Sequence, residues 1–247
     1  MNNEKDRFPI RELLEAGDNI QEIGKRMAWN MVQYKELQMA YDCAMREVRT
    51  KFEVLNAEFD LKHSRNPISA IHTRLKSTPS IIEKLKKRGA PITLEAVEEQ
   101  VTDLAGVRIV CSYIDDVYSI ANAFLRQDDI TLITAKDYIK EPKKNGYRSL
   151  HLIVSVPVFF SDNRREVKVE VQIRTVAMDF WASLEHEIRY KNGGKEEAWV
   201  SEELKECAET VAKADEQMLS IRERVEAAPE KEESELSRRI KATLKKM

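Results

Sequence analysis

The chain has 247 residues, 34% of them charged, with seven glycines, seven prolines and a net charge of −2. That near-neutral balance excludes a protein that simply coats nucleic acid, and the scarcity of helix breakers points to a helix-rich globular protein. The opening MNNEKDRFPI has no apolar run, Leu150 to Phe160 is interrupted by His151, Ser155 and Pro157, and Cys43, Cys111 and Cys207 share no paired or metal-like spacing, so a reduced cytoplasmic protein without signal peptide or membrane span is expected.

In chain order, helix is predicted from about Ile10 to Leu61, where Leu37, Tyr41, Ala44, Val48, Phe52, Leu55 and Phe59 recur every three or four residues. Such a stripe is a core face or an oligomer seam. Arg65-Asn66-Pro67 ends it. Ile71 to Lys76 reads as a short strand, Pro79 to Arg88 as a helix stopped by Gly89 and Pro91, and Thr93 as the start of another short helix. Gly106 to Cys111 reads as a buried strand, and Asp115 or Asp116 caps a helix running to about Gln127. Further strands fall at Ile130–Ile133, Ser149–Val156 and Glu166–Arg174. The last alternates Val167, Val169, Val171 and Ile173 with Lys168, Glu170, Gln172 and Arg174. Helices from Thr175 to about Tyr190 and from about Glu196 to Val225 follow, and a charged tail with room for a short helix closes the chain. The order implies an α+β fold: a mixed sheet in a core over residues 63–192, with helical regions at 1–62 and 193–247.

Basic residues gather in two clusters. Arg74, Lys76, Lys84, Lys86, Lys87 and Arg88 face a single Glu83, and Lys136, Lys140, Lys143, Lys144 and Arg148 form the second. Two such clusters on a neutral chain mark a focused anion site. Arg74 and Lys76 point the same way on a strand, and Ser80, Lys84 and Lys87 or Arg88 follow at helical spacing, a natural phosphate cradle. Read alone, a run such as Lys84 to Arg88 is ordinarily a solvated helix face. Asp103 stands at the mouth of the strand opened by Gly106, where a backbone can approach a ligand closely. With Glu170 it makes a candidate carboxylate pair for Mg²⁺. Gln172 and Arg174 beside Glu170 would complete a polar floor for a polyanion. Lys143-Lys144-Asn145-Gly146-Tyr147-Arg148-Ser149-Leu150-His151 offers phosphate-binding cations, a turn and, at Tyr147, an aromatic face for a base. The chain has no P-loop, GxGxxG loop, zincin motif or His-Asp dipeptide.

Together these segments resemble the synthetase domain of the RelA/SpoT family. The resemblance runs through Arg74-Leu-Lys-Ser-Thr-Pro-Ser80, Asp103-Leu-Ala-Gly-Val-Arg108, Asn145-Gly-Tyr-Arg-Ser-Leu-His151, Glu170-Val-Gln-Ile-Arg174 and Asp179-Phe-Trp-Ala-Ser-Leu-Glu-His186. It covers residues 65 to 192, and short terminal helices make the chain similar to the small alarmone synthetases, more the RelP than the RelQ branch. The resemblance implies synthesis of (p)ppGpp by pyrophosphate transfer from ATP to the 3′-hydroxyl of GDP or GTP, without hydrolysis. Arg74 and Arg108 would sandwich adenine, while Lys76, Ser80, Lys84 and either Lys87 or Arg88 would hold the ATP phosphates. Asp103 and Glu170 would bind Mg²⁺, and Glu170 would also act on the 3′-hydroxyl. Tyr147 would stack on guanine, with Lys143, His151 and Gln172 serving the acceptor. A homotetramer is implied as well. Ala70, His72 and Asp179 stand where the RelQ branch holds an activating alarmone, which predicts no strong activation here. The competing readings are a relative that pyrophosphorylates tRNA, an inactive nucleotide- or RNA-binding module on the same fold, and a structural helical oligomer.

Overall fold

The computed structural model describes residues 20–62, 65–191 and 198–227. The expected helix over residues 10–19 and the charged tail lie outside them. The elements are α1 (Ile20–Lys62), β1 (Ile68–Leu75), α2 (Thr78–Lys87), α3 (Leu94–Gln100), β2 (Ala105–Cys111), α4 (Ile114–Leu125), β3 (Thr131–Asp137), β4 (Leu150–Phe159), β5 (Arg164–Thr175), α5 (Val176–Lys191) and α6 (Ala198–Ala227). The strands form one mixed sheet in the order β1-β2-β5-β4-β3, parallel only between β2 and β5.

Period-two alternation gives this sheet two unlike faces. Val107, Ile109, Leu152, Val154, Val169, Val171 and Ile173 are buried on one of them, beneath α1 and α4. The predicted stripe of α1 is the cover: Leu37, Tyr41, Ala44, Val48, Phe52 and Leu55 are all buried, and Phe52 stacks on Phe124 of α4 with ring centroids 4.5 Å apart. Each such aliphatic or aromatic side chain contributes roughly 1.5–3 kcal/mol by leaving water. The N-terminal helix is therefore a layer of the central core.

Strand β1 begins earlier than expected, at Ile68, and β3 runs on to Asp137; three further differences have a physical reason. Helix α4 begins after Tyr113, and neither Asp115 nor Asp116 is its cap residue. Asp116 instead accepts a hydrogen bond from the Tyr113 N–H at 3.2 Å and is gripped by Arg65 at 2.7 and 2.8 Å, while Asp115 pairs with Arg222 of α6. Strand β4 runs on past Pro157 because its pairing with β3, which begins at Thr131, reaches no further than Ser155, so the missing N–H lies beside a free edge. Arg174, expected on a polar face, is buried at 4% exposure, because α5 turns back over that end of the sheet.

Candidate active site

The second face of the sheet carries the polar set, and strand register places it. Arg74 lies opposite Gly106, which lies opposite Glu170. One row along, His72, Arg108, Gln172 and His151 stand side by side across four strands. At Gly106 the floor of this face is lowest, since a side chain there would rise between Arg74 and Glu170. The result is a cleft of about 410 Å³ lined by His72, Arg74, Lys76, Asp103, Arg108, Glu170 and Gln172, among others.

One wall comes from β1, α2 and the turn into β2. The Lys76 N–H donates to the Leu104 carbonyl at 2.8 Å, which fixes the turn beside Asp103. Lys76 Nζ then reaches Asp103 Oδ2 at 3.0 Å, and Lys84 Nζ reaches Oδ1 at 2.8 Å. Burial pushes the Asp103 carboxyl up, but the two ammonium groups outweigh it and leave it below the ordinary aspartate value.

The other wall is the segment from Lys143 to His151 with β5. Gly146 takes φ +86°, and a Cβ on it would come within 2.5 Å of the Ala208 Cβ on α6, so only glycine fits. Asn145 Nδ2 donates to Glu185 on α5 at 3.1 Å, and Tyr147 packs beside Trp181, Ala182, Leu204 and Ala208. Tyr147 thus sits on a base made by the two C-terminal helices. Its hydroxyl meets His151 Nε2 at 2.7 Å and Arg174 Nη2 at 2.5 Å. His151 Nδ1 in turn lies 3.1 Å from Glu170 Oε1, while Gln172 Nε2 donates to Glu170 Oε2 at 2.8 Å. Burial pushes the Glu170 carboxyl up; the His151 and Gln172 bonds prevail and hold it below the ordinary glutamate value. The Lys143 ammonium lies over both Tyr138 and Tyr147, 4.6 and 4.7 Å from the ring centroids.

Most of the residues picked out in the sequence thus converge. Arg74, Lys76, Asp103, Arg108, Glu170 and Gln172 line the cleft, Lys84 joins through Asp103, and His151, Tyr147 and Lys143 continue from Glu170. Ser80 lies in the first turns of α2, bonded to Ser77 Oγ at 2.9 Å. Two residues point elsewhere: Lys87 pairs with Glu83 in solvent, and Arg88 donates to the Gln100 carbonyl at the end of α3. Lys168, on the same face of β5 as Glu170, reaches the Glu98 carbonyl at 3.3 Å. His72 was not among the expected substrate residues, although its two-residue spacing from Arg74 places it on the same face. Asp179 was not expected there either; its Oδ1 accepts from Arg108 and Arg174, each at 3.2 Å. Between the Lys143–Arg148 segment and α6, a second opening is lined by Lys143, Lys144, Arg148, Lys205 and Glu209, among others.

The chemistry available is that of a polyanion site with two carboxylates in it. Four cations, Arg74, Lys76, Lys84 and Arg108, surround Asp103 and Glu170, which feel one another's charge. Asp103 and Glu170 offer only hard oxygen donors, and no cluster of three or more His, Cys, Asp or Glu side chains exists among the described residues. Such a donor set fits an ion that takes one or two carboxylates and completes its shell with phosphates and water, as Mg²⁺ does; it does not fit a self-sufficient protein cage.

The comparisons with known proteins agree with this reading. The family described as "Region found in RelA / SpoT proteins" matches residues 73–195. The GTP pyrophosphokinase YwaC of Bacillus subtilis is 44% identical over 196 residues, spanning 79% of this chain and 93% of its own. YjbM of the same organism, also named a GTP pyrophosphokinase, is 33% identical over 197 residues, 79% of this chain and 92% of its own. The crystal structure of the small alarmone synthetase 2 from B. subtilis superposes with a TM-score of 0.71 at 42% identity, covering 77% of this chain and 98% of the other. That of the small alarmone synthetase 1, bound to its product pppGpp, gives 0.73 at 34% identity, covering 78% and 98%. Higher identity to YwaC than to YjbM accords with the RelP-like resemblance. By motif, fold and likeness over nearly the full length of its relatives, this chain belongs to the RelA/SpoT family, among its small alarmone synthetases.

Proposed function

We propose that this protein is a (p)ppGpp synthetase that transfers the terminal pyrophosphate of ATP to the 3′-hydroxyl of GDP or GTP. The observation that carries this reading is the single cleft in which Asp103 and Glu170 stand among Arg74, Lys76, Lys84 and Arg108, with Tyr147 reached from Glu170 through His151. Relatives named GTP pyrophosphokinases, and a small alarmone synthetase 1 structure bound to AMPCPP at a TM-score of 0.68, support it.

In the reaction the 3′-oxygen attacks the β-phosphorus of ATP in line, the bond to the α–β bridging oxygen breaks, and AMP leaves. Glu170, held ionised by its two hydrogen bonds, takes the hydroxyl proton. Arg74 and Arg108 flank the adenine. Lys76 and Lys84 move from Asp103 onto the ATP phosphates, with Ser80 at the start of α2, where N–H groups face an anion. Either Lys87 or Arg88 joins them only after leaving Glu83 or Gln100. Tyr147 gives its ring to guanine, and Lys143, His151 and Gln172 serve the acceptor nucleotide. Asp103 and Glu170 would hold Mg²⁺, which offsets the charge repulsion between the two polyanions.

The protein works in the cytoplasm as a homotetramer. No helix among the described residues is long and apolar enough to cross a membrane. Val176, Phe180, Leu184 and Ile188 form an exposed apolar stripe at four-residue spacing on α5, a surface suited to a second copy of the chain. Incubation with Mg²⁺, ATP and GDP or GTP tests the activity. AMP and a 3′-pyrophosphorylated guanosine nucleotide should appear together; AMP without that product, or neither, refutes the proposal.

A further inference from the structure

The Arg174 guanidinium is 4% exposed, and a buried arginine is tolerated only when its donors are matched. Those donors reach Ser149 Oγ at 3.3 Å, Asp179 Oδ1 at 3.2 Å, Tyr147 OH at 2.5 Å and Gln172 Oε1 at 2.8 Å. Arginine donates and never accepts, and that asymmetry propagates. At Gln172, Arg174 takes the carbonyl oxygen, which leaves the amide NH₂ facing Glu170 Oε2 at 2.8 Å. At Tyr147, Arg174 takes a lone pair of the phenol oxygen, which directs the phenol proton to His151 Nε2 at 2.7 Å. With Nε2 accepting, the ring proton lies on Nδ1 and points at Glu170 Oε1, 3.1 Å away. Each oxygen of the carboxylate therefore receives a donor that Arg174 braces from behind, through Gln172 on one side and through Tyr147 and His151 on the other.

From this geometry we propose that Arg174, acting through Gln172 on one side and through the Tyr147 hydroxyl and His151 on the other, is the positioning residue that fixes the reacting carboxylate Glu170. The inference rests on the synthetase reading of Glu170 and assigns the Tyr147 hydroxyl a role separate from that of its ring. Glu170 itself, as a carboxylate, accepts only and so selects the Gln172 amide and the His151 Nδ1–H; without Arg174 the two donors keep that polarity but lose the common anchor that holds Gln172 and the Tyr147 hydroxyl in place.

Tyr147→Phe tests it, because the ring, its packing and Arg174 all remain. The expected result is a roughly 3- to 10-fold fall in kcat, the size of one net hydrogen bond, with the acceptor KM within about twofold of wild type. In a His151→Ala background the same substitution should have no further effect, since the branch is already cut. Arg174→Gln, checked for an unaltered thermal melt, should lower kcat more than Tyr147→Phe does, because it cuts both branches. An unchanged kcat in Tyr147→Phe, a loss confined to acceptor KM, or full additivity with His151→Ala would overturn the relay while wild type remains active. A wild-type protein that forms no AMP-coupled product overturns the synthetase reading itself, and the positioning role with it.

Discussion

The two walls of the cleft are built on different principles. On the wall of β1 and α2, Lys76 and Lys84 are flexible cations, 19% and 26% exposed, parked on the Asp103 carboxylate. A phosphate oxygen offers such an ammonium group the same charge-assisted hydrogen bond as the carboxylate does. On the wall of β4 and β5, side chains are interlocked: Tyr147, His151, Glu170, Gln172 and Arg174 form one hydrogen-bonded set on a base of helix α6. The difference teaches which part of the site reorganises. In the proposed reaction, phosphates arriving on the first wall would displace one set of ion pairs with another, whereas the second wall is hydrogen-bonded beforehand, the arrangement by which preorganised groups act on developing charge.

The largest expected effect probes the fixed wall. Glu170→Gln keeps size and loses charge and basicity, so synthesis should fall by about 10²–10³-fold or more, with a thermal melt close to wild type. Near-normal turnover in a folded Glu170→Gln protein would break the comparison at its centre. Tyr147→Ala should come next. Loss of a stacking face worth roughly 1–3 kcal/mol raises the acceptor KM by about 5- to 150-fold and leaves the ATP KM nearly unchanged. Equal effects on both substrates would make Tyr147 a packing residue.

A smaller effect sharpens the account of how the fixed wall is anchored. Asp215 of α6 accepts from Thr175 Oγ1 at 2.5 Å, and burial raises its carboxyl above the ordinary aspartate value. A carboxyl raised in this way favours the fold while protonated and loses that contribution as pH rises through its folded value. Asp215→Asn keeps an acceptor for Thr175 without the charge. The variant should melt about 2–4 °C higher near neutral pH, with the gap closing toward acid, as thermal denaturation across that range would reveal. The smallest effect expected is no effect: added pppGpp should change the rate with GDP by less than about twofold, because Ala70 offers no stacking face. Asp179, the other notable position, has its charge engaged by Arg108 and Arg174 rather than open to an effector. Several-fold stimulation in a rate assay would contradict this.

Much of this was legible in the sequence because it rests on period and spacing. The α1 stripe and the alternation of β5 depend on chain geometry alone, so the buried faces followed directly. Asp103 and Glu170 were paired on their chemistry alone, but they and Arg74 and Arg108 come from segments far apart in sequence, and only the resemblance to a known family joined the two arginines to them beforehand. What stayed hidden was set by tertiary cover. Arg174 alternates with the polar residues of β5, yet α5 buries it, and nothing local to the strand signals that. Lys87 and Arg88 share the helical spacing of Lys84, but the fate of a long cation depends on neighbours: Glu83 one turn back and the Gln100 carbonyl from α3. At α4 the N-cap position belongs to Tyr113, and Asp116 caps from the third helical position, accepting the Tyr113 N–H while it also holds Arg65.

The contact between Gly146 and Ala208 also decides where the chain can be cut. The family segment ends at residue 195, before α6 begins, yet α6 supplies the surface on which the Lys143–His151 loop rests. It accepts the Trp181 indole N–H at the Leu204 carbonyl, receives Thr175 at Asp215 and reaches across to Asp115 with Arg222. A fragment trimmed to the family boundary would lose all of these at once, leaving the loop unsupported and Trp181 in water. A piece that keeps this loop supported therefore extends at least through Arg222.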